Sequence, residues 1–404
     1  GDVTVGARFL QYGALWEEVP DPSAPRHPTL FPIDSRNGIP SMQHGPVWSL
    51  MGGGVSSLWQ GRTEADVYFA LRLLSVMFGT AMIVMFWVVA RSLMNRESAL
   101  VGALWVSVSY LLIDFSGNGA FYVFQATLYL LWILIALRTP SWKRSAALGA
   151  LTGFTYIMNY QAIILLPTAI LLELFQSKLT RKCLLNIVVV TLLAGLFASP
   201  WLIRNFVLVG DPFGHHLVNS NYIFSKSGIR ATVVDFVYQF PGKWEQLTVI
   251  LGMVLTSWLP NNSFYVARKL FVLAPIAFIF FSYGLIEQVL SAERRRRMLP
   301  VLLLFAMHFL ISASWPITKF RFFVPLLPLV FLLSLDAIQC FVKNRRIRLW
   351  WMALITFALC LGSVLTYFSV PTHTYYYDGA ITTDPFSGRG EWNYLRDINL
   401  LQFP

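Results

Sequence analysis

The 404 residues are 56% hydrophobic and only 13% charged, with a mean hydropathy of +0.58 and a net charge of +11. A soluble domain carries about 25% charged residues, so this chain lacks the polar side chains to cover a water-facing surface of its size. That excludes an ordinary soluble enzyme, a disordered chain and a coiled coil, and leaves an all-α polytopic membrane protein.

In chain order, a first segment over 1–66 precedes the first apolar run. Ten apolar segments follow, over 67–90, 98–115, 119–137, 145–158, 161–176, 184–206, 266–290, 298–315, 323–341 and 349–368. Several fall short of the ~20 residues of a straight span. The pair 145–158 and 161–176 meets at Asn159-Tyr160-Gln161, which reads as a tight turn. The stretch Gln246–Leu259 reads as a helix lying on the membrane surface or re-entering from it. The resulting organisation is a first outer loop (1–66), a membrane core (67–206), an outer loop (207–265), a second membrane block (266–368) and an outer tail (369–404).

Short connections set the orientation. Arg91 and Arg96, then Arg138, Lys143 and Arg144, then Lys178, Arg181 and Lys182, then Arg294–Arg297, and finally Lys343, Arg345, Arg346 and Arg348 crowd into five turns on one side. Lys and Arg mark the cytoplasmic side of short loops, and most acids fall in the other connections. The +11 is therefore mainly an orientation signal. No strip of basic and aromatic residues from a nucleic-acid recognition module occurs. Gly52-Gly53-Gly54 lacks the Lys-Ser/Thr of a phosphate loop. Cys183, Cys340 and Cys360 stand far apart, forming neither a disulfide framework nor a metal cluster.

Long loops carry function more often than short turns do, so the outer side is the expected working face. Asp2 heads the first outer segment, where an exposed carboxylate or a helix N-cap is the plain reading. His44 precedes Gly45-Pro46. Arg72 sits inside the first span, where a charge needs a partner; Glu64, Asp66 and Asp114 are candidates. Asp114 lies at an outer turn, placed to cap a helix, orient a sugar or bind a cation. Arg204, Lys319 and Arg321 lie near the outer interface, where they either snorkel to lipid headgroups or recognise a phosphate. Asp2 and Asp114 could together hold a divalent cation through oxygen ligands.

The order of these landmarks resembles the C-type (GT-C) membrane glycosyltransferases, above all the family of protein O-mannosyltransferases and the lipid A aminoarabinose transferase. The counterparts are Asp2, Gly6–Gly13, His44-Gly45-Pro46, Ala70-Leu71-Arg72-Leu73-Leu74-Ser75, Pro200–Phe206 with Gly210-Asp211-Pro212-Phe213, and Arg321–Pro328, over roughly residues 1–335. The resemblance implies a GT-C-like helical bundle and a transmembrane helix preceding Gly1. It also implies Asp2 as general base, Arg204, Arg321 and Lys319 as donor-phosphate ligands, and His44, Arg72, Asp114, Tyr160 and Gln161 as substrate-binding or supporting residues. The donor it implies is a polyprenyl-phosphate sugar. Transfer would be inverting, to a lipid, glycan or protein acceptor outside the bacterial plasma membrane. Two stretches depart from the family pattern: Ser116–Phe121, where Asp114 stands upstream of the expected acid, and Asn159-Tyr160-Gln161, where a Lys is usual. A non-catalytic subunit of this fold and a transporter or flippase of a lipid-linked saccharide are the alternatives. A transporter is expected to carry ionisable residues at mid-span, whereas here most lie at span ends, apart from Arg72 and His308.

Overall fold

The computed structural model describes residues 45–177, 179–209, 259–314 and 320–369, with isolated residues between 6 and 40 and between 212 and 255. The described residues form a helical bundle. The first segment adds one small antiparallel pair, β1 (Trp16–Glu18) with β2 (Ile39–Pro40), which the all-helical expectation did not include.

The helices are α1 (Val47–Ser56), α2 (Glu64–Leu93), α3 (Arg96–Val108), α4 (Tyr110–Gly117), α5 (Tyr122–Ala136), α6 (Trp142–Met158) and α7 (Leu165–Gln176), the last entered through a 3-10 turn at Tyr160–Ile164. Then come α8 (Arg181–Val209), α9 (Leu259–Leu273), α10 (Pro275–Leu290) and α11 (Ala292–Ala313). After a 3-10 turn at Phe320–Phe323 the chain finishes with α12 (Leu327–Phe341) and α13 (Arg345–Ser369). Local chemistry sets several starts. Thr63 and Asp66 form a reciprocal capping box on α2, Asn95 accepts from Ser98 N at 2.9 Å at the head of α3, and Ser141 accepts from Arg144 N at 3.3 Å at the head of α6.

Among the described residues, four helices can cross a membrane by length and composition: α2, α8 over Arg181–Val207, α11, and α13 over Arg345–Leu365. Helices α3 and α4 make a fifth if their bent pair counts as one span. Two of the expected continuous segments are broken. The 98–115 run bends by 59° at Ser109. In lipid a freed carbonyl must find a donor, and Ser363 Oγ supplies it to Val108 O at 2.5 Å. The 266–290 run stops at Ala274 because Pro275 disfavours helical backbone before it and brings no N–H.

Two helices, α5 and α12, are buried on almost every side. Around them the other helices turn apolar stripes outward. On α8, Leu184, Val188, Leu192 and Leu196 recur every four residues and all are exposed. A helix facing water would carry polar residues there; one facing lipid need not. Helix α6 packs along α8 through Gly149 and Gly153, four residues apart. A Cβ at either would lie 2.5 Å from Val190 O or 2.3 Å from Ala194 O, so only glycine allows this approach.

The ends of the bundle separate the charges. The arginine-rich turns gather at one end, where Arg144 and Glu173 form a fully buried ion pair. Ser145 Oγ and Asn186 Nδ2 also donate to Glu173, at 3.0 and 3.2 Å. Arg297 pairs with buried Asp336 at 2.5 Å, Arg294 with Glu287 at 3.1 Å, and Arg345 with Glu97.

Candidate functional site

The opposite end is built from the 117–122 turn, the Asn159–Ile164 turn, the last turns of α8, and the Phe320–Phe323 turn. At the first of these, helix α4 stops and leaves carbonyls that need donors. Three side chains supply them: Arg72 Nε donates to Gly117 O at 2.7 Å, Trp48 Nε1 to Gly119 O at 2.9 Å, and Ser75 Oγ to Ala120 O at 3.2 Å. Gly119 takes φ +83°, a conformation other residues rarely adopt. Arg72 thus caps the end of α4, with its guanidinium 5.8 Å from the Tyr68 ring centroid. Asp114 lies half-buried one turn before Gly117. Asp66, an expected partner of Arg72, is instead committed to the α2 cap, accepting from Thr63 N at 3.0 Å and Thr63 Oγ1 at 2.6 Å.

Asn159 shapes the second turn. Its extended backbone ends α6, and its side-chain oxygen accepts from Gln161 N at 3.3 Å. The Gly45 backbone presses on the same place: a Cβ there would fall 1.5 Å from Ile157 O. Tyr160 OH accepts from Trp201 Nε1 at 2.6 Å, and the Arg204 guanidinium lies 4.4 Å from the Trp201 ring centroid. Arg204 also donates to Asn205 Oδ1 at 3.2 Å. Tyr160, Trp201 and Arg204 therefore form one cluster, so two of the sequence-predicted residues meet through a tryptophan.

Arg321, on the Phe320–Phe323 turn, lies 5.4 Å from the Phe322 ring and 5.9 Å from the Tyr122 ring. Tyr122 in turn meets Phe115 edge-on at 5.6 Å, which links Arg321 to the Asp114 helix. A buried polar chain joins this turn to the second. Asn159 Nδ2 donates to Gln125 Oε1 at 2.7 Å, and Gln125 Nε2 donates to Tyr129 OH at 2.9 Å. Tyr129 OH lies 3.2 Å from His308 Nδ1, and His308 Nε2 lies 3.0 Å from Phe322 O. If the tyrosine donates to Nδ1, the imidazole is neutral with its proton on Nε2, where Phe322 O can accept it.

Sequence reasoning passed over Gln125, Tyr129, Trp201 and Lys269. Lys269 Nζ lies 5.9 Å from the Phe323 ring, beside the Arg321 turn. A usable signal existed: Gln125, Lys269 and His308 are polar side chains inside apolar runs. Asp2, His44 and Lys319 lie outside the described residues. Among the described residues, no three His, Cys, Asp or Glu side chains converge on a metal position.

A family model described as dolichyl-phosphate-mannose-protein mannosyltransferase matches residues 44–203. Among solved structures, the oligosaccharyltransferase of Archaeoglobus fulgidus, in complex with Zn and sulfate, is similar at 15% identity and a TM-score of 0.56. The match covers 95% of this chain and 54% of that one. The archaeal oligosaccharyltransferase AglB from the same organism, in complex with an inhibitory peptide and a dolichol-phosphate, is similar at 13% identity and a TM-score of 0.56. Here 100% of this chain and 55% of that one are covered. ArnT from Cupriavidus metallidurans, in the apo state, is similar at 13% identity and a TM-score of 0.55, over 93% of this chain and 62% of that one.

The fold is that of the C-type membrane glycosyltransferases. This chain spans little more than half the length of the oligosaccharyltransferases it matches. No curated protein sequence matches it. Within the C-type fold, the family-model stretch contains His44, Arg72, Asp114, Tyr160 and Gln161, and ends just before Arg204. Arg321 lies beyond that stretch, and the polar chain through Gln125 and His308 ties its turn back to it.

Proposed function

We propose that this protein transfers a sugar from a polyprenyl-phosphate-linked donor to an acceptor at the bundle end opposite the arginine-rich turns, and that this end faces outside the bacterial plasma membrane. The observation that carries the reading is the gathering of Arg72, Arg204 and Arg321 at that end, on aromatic rings and backbone carbonyls, within a C-type fold. Guanidinium groups suit phosphate oxygens geometrically.

In this reading the acceptor nucleophile attacks C1 of the sugar and gives up its proton to Asp2. The bond from C1 to the phosphate oxygen breaks, and polyprenyl phosphate leaves with both electrons. Attack opposite the leaving group inverts C1. Arg204, Arg321 and Lys319 offset the negative charge that builds on the phosphate, while His44, Arg72, Asp114, Tyr160 and Gln161 bind substrate or support the site. A divalent cation held between Asp2 and Asp114 is a separable part of this reading.

The test is Asp2→Asn in the full-length protein, assayed for sugar transfer and for retention of a polyprenyl-phosphate analogue. Loss of a general base lowers turnover by roughly 10²- to 10⁴-fold, with analogue retention unchanged. Undiminished transfer would remove Asp2 from the base role.

A further inference from the structure

The run Arg294–Arg297 takes no part in the proposed transfer, yet it borders two adjoining hollows. The first is a pocket of about 410 Å³ at the arginine-rich end, between the last turns of α2, α5 and α7 and the start of α11. Its polar lining is Ser92, Arg138, Gln176, Arg296 and Arg297. Arg297 is matched by Asp336, and Gln176 Oε1 accepts from Arg144 at 2.6 Å. Among the described residues no carboxylate forms an ion pair with Arg138 or Arg296. These two arginines come from different helix ends, so the pocket carries positive charge.

The second hollow is an apolar groove of about 1100 Å³ along α9, α10 and α11, with walls that include Leu270, Phe281, Leu285 and Phe305. It shares Arg296 with the basic pocket, and it reaches α7 at Phe175, next to Gln176 of that pocket. A small soluble anion would leave the groove unused. A neutral lipid would leave the arginines unmatched. The combination fits one kind of molecule, with a negative headgroup and hydrocarbon chains. Basic pockets between membrane helices bind anionic lipid headgroups in this way, and a guanidinium grips phosphate through a planar fork.

We propose that this end of the bundle binds an anionic phospholipid, with its phosphate between Arg138 and Arg296 and its acyl chains in the groove along α9, α10 and α11. The site is distinct from the proposed transfer site and does not depend on it.

The test uses the full chain in neutral detergent, titrated with a fluorescent phosphatidylglycerol. Unlabelled phosphatidylglycerol, phosphatidylcholine and inorganic phosphate serve as competitors. Saturable binding is expected, with phosphatidylcholine competing about fivefold more weakly or worse, since each basic residue near a headgroup contributes about that factor of preference. Arg138→Ala with Arg296→Ala should weaken binding by roughly 30-fold, whereas Arg138→Lys with Arg296→Lys should keep most of it. Ala306→Trp, which fills the groove from an exposed position, should weaken phosphatidylglycerol binding as well. If the alanine pair alters the unfolding midpoint, the lysine pair and Ala306→Trp decide the matter. Equal binding of phosphatidylcholine, or unchanged affinity in the alanine pair, would overturn the proposal. So would inorganic phosphate competing as well as the lipid while Ala306→Trp has no effect, because the site would then belong to a soluble anion.

Discussion

At the arginine-rich end the cations meet carboxylates: Arg144 meets Glu173, Arg297 meets Asp336, Arg294 meets Glu287 and Arg345 meets Glu97. At the opposite end Arg72 caps the Gly117 carbonyl, Arg204 lies on Trp201, and Arg321 lies on Phe322 and Tyr122. A ring face orients a guanidinium without adding negative charge. The first arrangement ties helices together. In the proposed function the second presents guanidinium groups to the donor phosphate. The contacts described for the two sets thus differ, carboxylates at one end and ring faces and a backbone carbonyl at the other, and the proposed function assigns them different work.

Substitution at the two ends should therefore break different things. The largest effect on stability is expected from Glu173→Ala. It strands a buried Arg144 guanidinium and should cost about 3–5 kcal/mol, read as a drop in the unfolding midpoint in detergent. Replacing the pair together, Arg144→Met with Glu173→Leu, should recover most of that loss. At the other end, His308→Ala removes the link between Tyr129 and Phe322 O. A loss of about 1–2 kcal/mol is expected, accompanied by weaker binding of a polyprenyl-phosphate analogue because the Arg321 turn is less firmly held. A stability loss with no change in binding would separate the polar chain from the site. The smallest effect belongs to Arg345→Ala. Its pair with Glu97 lies on the surface, where ion pairs contribute little, and the unfolding midpoint should stay where it is.

Much of the bundle was readable from hydropathy and charge. The turn at Asn159-Tyr160-Gln161 is where the two short apolar runs meet, and the basic turns do share one end. The breaks were harder to see. The bend at Ser109 has no proline or glycine to announce it, and it is sustained by Ser363, which lies 255 residues from the Val108 carbonyl it meets. The stop at Ala274 was announced by Pro275, but the apolar character of the run masked it. At the site, arginines near span ends stood out individually because a charge in lipid is costly. Their surroundings did not. Trp201 lies one helical turn before Arg204 on the same helix, a pairing that spacing alone offers, but that Trp201 would donate to Tyr160, 41 residues away, depends on which helices pack together. Glu173 and Asp336 show the same limit, as acids in apolar runs whose arginine partners lie 29 and 39 residues away.

The contrast between the two ends is tested most directly by comparing Arg321→Ala with Arg297→Ala in the full-length protein, measuring binding of a polyprenyl-phosphate analogue alongside the unfolding midpoint. Arg321→Ala should weaken binding about 10- to 100-fold, the range of a charge-assisted contact, and leave the midpoint nearly unchanged. Arg297→Ala, which leaves buried Asp336 with Gln288 but no cation, should lower the midpoint and leave binding intact. Unchanged affinity in Arg321→Ala would contradict the assignment of the ring-held arginines to the donor phosphate.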